Sequence, residues 1–210
     1  MIKVMSNKSV CLLDYGSGNV KSVYNILDFL GYNVKISNSI EDIKNSTHII
    51  LPGVGAFGAS MKKIMDTIPF DVLENEVLQK GKPFLGICVG MQVLADRGLE
   101  FGEHKGFGWI PGVVDKIDTK ELPSLHIGWN DIMIKKNTSL LKGLNDNKDF
   151  YFVHSYVFDV ENKDYIVAQT KYGNTFTSVL SKDNIFGIQF HPEKSQKAGQ
   201  LIFKNFMENL

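Results

Sequence analysis

The sequence has no excess of either charge: 23 Lys and Arg balance 23 Asp and Glu over 210 residues. No basic stripe offers itself to a nucleic acid or an anionic membrane, and the pairs Lys62-Lys63 and Lys135-Lys136 read as solvated faces. Long apolar runs are missing as well. The first one, in MIKVMSNKSVCLLDYG, ends at Asp14, too short and too charged for a secretory signal, and nothing reaches membrane-spanning length. The expectation is a cytoplasmic protein. Only two cysteines occur, which excludes a disulfide framework, and Cys11 within VCLLD reads as a small buried hydrophobe.

What is present is an ordinary globular composition, 43% hydrophobic and 22% charged, at a length that fills one core. The first half alternates strand and helix patterns. VCLLD is followed by Val20, Val23, Tyr24, Leu27 and Leu30 at helical spacing, Gly31 as a stop, and YNVKI. THIILP, helices over roughly 56–80, PFLGI and a helix after Cys88 continue the rhythm. This predicts an α/β fold with a central, mostly parallel sheet and helices on both faces. From about residue 106, short runs such as GVVDKI, DIMIK, DFYFVHSYVF, YIVAQT, FTSVL and IFGIQF predict added antiparallel strands. A final helix over 195–210 places Ala198, Leu201, Ile202 and Phe206 on one face. Residues 1–8 precede the first strand and receive no role, and 9–210 read as a single domain.

The second cysteine stands in PFLGICVGMQVL, residues 83–94. A strand that ends in Gly-x-nucleophile-x-Gly and opens a helix forms an elbow with an exposed side chain at the strand's carboxyl end. GICVG has that form, and free N–H groups at a helix start favour a thiolate at Cys88. Taken alone, the residue is equally a buried core cysteine. A nucleophilic cysteine needs a base and a group to orient it. GIQFHPEKS offers His191 at a strand end, with Glu193 two residues on and Pro192 holding the histidine extended. By itself HPE is more commonly a turn. Together with the elbow it reads as a catalytic pair, because strand ends of a parallel sheet converge on one edge. LPGVGAFG, residues 51–58, would present backbone N–H groups to an oxyanion, or serve as a plain strand-to-helix turn; its spacing is not that of a nucleotide phosphate loop.

Three motifs in this order, PGVGAF, GICVGMQ and QFHPEKS, resemble the class I glutamine amidotransferases, a family with a flavodoxin-like fold. DYGSGNVKSV at 14–23, Met91, HIGWN at 126–130 and YFVHSY at 151–156 resemble in particular the glutaminase subunits of imidazole glycerol phosphate synthases. The resemblance runs from about Ser9 to Leu210. It implies hydrolysis of L-glutamine through a thioester on Cys88, with His191 as acid and base and Glu193 orienting it. Gln92 and Glu100 would hold the amide and α-amino groups, and backbone at Ser155 and Tyr156 the carboxylate end. Gly53, Val54 and Gly55, with the amide of Val89, would take the oxyanion. In this family the oxyanion strand is thought to turn correctly only when the partner's site is occupied.

The implied partner is a cyclase of (β/α)₈ barrel form in a heterodimer, which uses the ammonia to make imidazole glycerol phosphate and AICAR in histidine biosynthesis. Trp129, Tyr151 and Lys194 would lie at that interface, although Trp and Tyr are by area more commonly core. No cofactor or metal is implied. Two alternatives stand beside this one: a related glutaminase serving an amidino-sugar synthase, which EFGEHKGFGWIPG at 100–112 resembles, and a stand-alone cysteine amidohydrolase. His104 reads as a solvated loop residue. Leu125 stands where the family usually has Pro before the histidine of HIGWN.

Overall fold

The computed structural model describes residues 8–16, 19–144 and 149–210. Residues 1–7 of the expected N-terminal extension lie outside the described residues, but the Lys8 ammonium donates to the Leu210 carbonyl at 2.9 Å.

The first half comprises β1 (Ser9–Leu12), α1 (Val20–Phe29), β2 (Asn33–Ile36), α2 (Ile40–Asn45), β3 (His48–Gly53), α3 (Phe57–Thr67), α4 (Phe70–Glu74), β4 (Phe84–Cys88) and α5 (Val89–Gln92). The second half adds β5 (Arg97–Gly98), β6 (His104–Lys105), β7 (Gly112–Lys116), β8 (His126–Asp131), β9 (Met133–Ile134) and β10 (Asp149–His154). It closes with β11 (Tyr156–Val160), β12 (Ile166–Tyr172), β13 (Asn174–Lys182), β14 (Ile185–Ile188) and α6 (Gln196–Asn209).

Eight strands form the central sheet in the order β2-β1-β3-β4-β14-β13-β12-β9. β2, β1, β3, β4 and β14 pair in parallel, and β13, β12 and β9 add antiparallel. Every residue of β3, β4 and β14 is buried, as a sheet covered on both faces requires. Val20, Val23 and Leu27 of α1, and Ile202, Phe203 and Phe206 of α6, supply part of that cover. Phe57, Phe84, Phe190 and Phe203 are among the fully buried rings, each worth roughly 1.5–3 kcal/mol relative to exposure. Cys11 is buried as expected, and burial pushes its thiol up to about 12. No described helix is long and apolar enough to cross a membrane.

Three local expectations are corrected. DFYFVHSYVF does not make one strand: it breaks at Ser155, so that β10 pairs with β8 in a two-stranded ribbon and β11 pairs with β7 in a separate four-stranded sheet. The strand expected at DIMIK is mostly HIGWND instead, with only Met133 and Ile134 continuing as β9. Only His126 of β8 is buried, and its apolar Ile127 and Trp129 face outward, which inverts the alternation used to recognise a strand. The helix after Cys88 lasts one turn. The carbonyls of Val93, Leu94 and Ala95 accept from Phe107, Ile110 and Gly108, so the loop at 106–110 takes the acceptors a longer helix would use.

Candidate active site

The parallel pairing of β4 between β3 and β14 sets the site. Gly53 lies opposite Cys88 and Ile188 opposite Ile87, so the segments leaving all three strands meet at one carboxyl edge. Cys88 itself carries the elbow's strain, with φ 55° and ψ −111°. The flanking glycines serve space rather than torsion. A Cβ on Gly90 would overlap the Leu51 carbonyl oxygen, and one on Gly86 would overlap the Gly90 carbonyl. The loop after Cys88 is thereby pressed against β3. Because α5 has four residues, its macrodipole is small, and Cys88 has only the local N–H groups of one turn beneath it.

His191 Nδ1 lies 2.7 Å from Glu193 Oε1, and both side chains are almost wholly buried. Asn19, just before α1, donates its amide to the same carboxylate oxygen. Burial lowers the imidazole's affinity for a proton. The adjacent Cys88 sulfur, by charge and hydrogen-bonding attraction, and then Glu193 outweigh it and raise the pKa to about 10. His191 Nε2 makes no hydrogen bond of regular geometry among the described residues, so it is held beside the thiol without being committed elsewhere.

A cleft of about 170 Å³ opens at the thiol, lined by Val54, Gly55, Cys88, Val89, Gln92, Glu100, Val153, His154 and Tyr156. Val54, Gly55, Cys88, Val89, Gln92, Glu100 and Tyr156, all expected from the sequence, thus line one cleft. Gly53 closes β3 beneath them, where a Cβ would overlap the Tyr15 hydroxyl, and Gly55 takes φ +108°. Glu100 accepts the Phe57 N–H at 2.8 Å at the start of α3. Ser155 joins two lining residues without lining the cleft, its carbonyl accepting from Ile117. Gln189 was not singled out from the sequence, yet its Nε2 donates to Cys88 Sγ at 3.7 Å. It lies two residues before His191, and period-two alternation is the signal that assigns both to one side. Asn19 carries no such signal, since only folding brings it to Glu193.

Trp129, Tyr151 and Lys194 also come together. The two aromatic rings meet edge to face at 6.1 Å, and the Lys194 ammonium stands 5.4 Å from the Tyr151 ring centroid. Trp129 is 49% exposed, so the core reading of that residue fails. Leu125 is exposed, its carbonyl and that of Pro123 both reached by the Tyr172 hydroxyl at 3.3 and 3.2 Å. His104 is half-buried rather than solvated, its ring filling the space above Gly58 of α3.

The chain belongs to the class-I glutamine amidotransferases: residues 11–210 match that family. It is 42% identical over 204 residues to the imidazole glycerol phosphate synthase subunit HisH 2 of Pseudomonas aeruginosa, covering 95% of this chain and 98% of that protein. It is 43% identical over 198 residues to the subunit HisH of Caldanaerobacter subterraneus, covering 94% and 96%. Among solved structures, a glutamine amidotransferase superposes with a TM-score of 0.73 at 18% identity, over 95% of this chain and 97% of that one, a likeness of fold.

Proposed function

We propose that the protein is the glutaminase subunit of an imidazole glycerol phosphate synthase, acting in histidine biosynthesis as a cytoplasmic heterodimer with a barrel cyclase. The observation that carries the chemistry is the elbow thiol beside an imidazole whose other nitrogen is held 2.7 Å from a buried carboxylate. With its pKa raised to about 10, His191 is an imidazolium at neutral pH, which suits a thiolate at Cys88.

In this reading the Cys88 thiolate attacks the side-chain amide carbon of L-glutamine. Negative charge on the amide oxygen is taken by the Val89 amide and the strand Gly53, Val54, Gly55, each donor worth about 3 kcal/mol in acyl transfer. His191 passes its proton to the departing ammonia, leaving a thioester. The neutral imidazole then takes a proton from water, the hydroxide adds to the thioester, and glutamate leaves as the thiolate reforms. Gln92 and Glu100 hold the substrate's amide and α-amino groups, and backbone at Ser155 and Tyr156 its carboxylate end. Their support is a shared cleft for all but Ser155. The face of Trp129, Tyr151 and Lys194 receives the cyclase, to which the ammonia passes for the synthesis of imidazole glycerol phosphate and AICAR.

The test mixes the chain with the barrel cyclase of the same organism and follows glutamate release with and without a ligand of the cyclase. Release is expected to rise in the ternary mixture and vanish in Cys88→Ala, whose complex keeps activity with ammonium salts. Glutamate release that survives Cys88→Ala overturns the mechanism. No rise, with Cys88 still alkylated by a glutamine-like chloroketone, assigns the ammonia to a different synthase.

A further inference from the structure

His126 of β8 and His154 of β10 lie directly opposite each other in the two-stranded ribbon, 3% and 6% exposed. His126 Nδ1 and His154 Nε2 are 2.9 Å apart, and His154 Nδ1 is 3.0 Å from the Tyr156 carbonyl oxygen. Asn130 Nδ2 lies 3.1 Å from His126 Nε2.

These contacts allow one assignment of protons. The Tyr156 carbonyl only accepts, so His154 carries its hydrogen on Nδ1 and accepts at Nε2. His126 must then donate from Nδ1 and accept at Nε2 from Asn130. The Asn130 amide cannot turn over, because its oxygen accepts the Asp131 N–H at 2.8 Å and its nitrogen also donates to the Lys171 carbonyl at 3.1 Å. Both rings are neutral in this arrangement, in keeping with burial, which lowers His126 to about 4 and His154 to about 3.

The Tyr156 carbonyl takes a second donor, Gln92 Nε2, at 3.0 Å. The same nitrogen donates to Gln189 Oε1 at 3.1 Å, and Gln189 Nε2 donates to Cys88 Sγ. A hydrogen-bonded chain therefore runs from strand β8 to the nucleophile. Both amide hydrogens of Gln92 are committed, so what Gln92 can offer a substrate is its oxygen, an acceptor.

We propose that His126 and His154 are positioning residues that fix the Tyr156 carbonyl, and thereby lock Gln92 with its oxygen toward the cleft as an acceptor selecting a carboxamide N–H. This rests on the glutaminase reading. The pair acts on specificity through position: with His154 gone, the Tyr156 carbonyl loses the donor that fixes its direction, and Gln92, which donates to that carbonyl, loses its fixed place against the substrate. A site built around one hydrogen bond to the substrate discriminates strongly against a substrate lacking it.

The experiment compares glutamine with glutamate γ-methyl ester, which gives the same thioester but has no side-chain N–H, in the synthase complex. In His154→Phe, kcat/KM is expected to fall about 10-fold or more for glutamine and less than about 3-fold for the ester, for loss of one buried hydrogen bond. His154→Asn, which keeps an N–H at the place of Nδ1, is expected to restore glutamine to within about 3-fold of wild type. Equal losses on both substrates, no loss on glutamine, or no recovery in His154→Asn overturns the proposal. If His154→Phe lacks a thermal unfolding transition, the same ratio is read in His126→Phe with the same expectation. Wild-type glutamate release that disappears in Cys88→Ala keeps the glutaminase reading standing whatever His154 shows.

Discussion

Glu193 holds His191 through one carboxylate oxygen, Oε1, and that oxygen is also the acceptor for Asn19 from the start of α1. Two segments distant in sequence thus fix the orientation of one ring. The carboxylate is buried, so its charge is balanced by its neighbours rather than by water.

Removing that support is expected to reduce turnover more than binding. Glu193→Ala should lower glutamine-dependent kcat by about 10² to 10³, since the imidazole loses its orienting acceptor. KM should stay within about 3-fold, because Glu193 does not line the cleft. Asn19→Ala should cost about 10-fold, the loss of one charge-assisted hydrogen bond. Steady-state kinetics of the complex checks all three; a KM rise with kcat unchanged would assign Glu193 to binding instead.

Stability should fall between about pH 6.5 and pH 10. His191 binds its proton more tightly folded than unfolded, its pKa rising from 6.5 to about 10. Its contribution is therefore full below the unfolded value and lost as pH climbs through the folded one. In Cys88→Ala the largest stabilising influence on the imidazolium disappears, so the decline should be smaller and end at lower pH. Thermal unfolding of both proteins from pH 6 to pH 10 reads the difference, and superimposable profiles would count against the ion pair.

Glycine substitutions should separate crowding from backbone torsion. Gly90→Ala drives a methyl into the Leu51 carbonyl and is expected to cost about 3 kcal/mol or more, lowering Tm by roughly 6–12 °C. Gly55→Ala meets open space and pays only for φ +108°, about 1–3 kcal/mol. Glutaminase activity should fall with Gly55→Ala even where Tm changes little, because that residue lies in the proposed oxyanion strand.

Trp129→Ala should leave the isolated chain's Tm within about 2 °C, since half of the ring is already in solvent. Affinity for the cyclase should drop by about 2 kcal/mol, or roughly 30-fold in Kd, as for an aromatic anchor at an interface centre. Titration calorimetry of the complex measures it; an unchanged Kd moves the interface away from this face.

The alternating first half was legible because strands buried on both faces and helices with one buried stripe leave strong local patterns, as THIILP and the helix from Val20 show. The second half was less so. HIGWND turns its apolar residues outward, and DFYFVHSYVF gives no local sign that Ser155 divides it between two sheets. Cys88, His191 and Glu193, which the structure brings together, are singled out in the sequence by glycine spacing and the X-Pro constraint, both short-range effects.

The sequence alone determined the α/β alternation, the elbow and the residue types of the site, because each depends on neighbours within a few positions. Tertiary structure decided which strand ends lie side by side, that Asn19 reaches Glu193, and that two histidines 28 positions apart share one hydrogen bond. Those relations depend on strand order and register, which arise from packing over the whole sheet and leave no trace in local spacing.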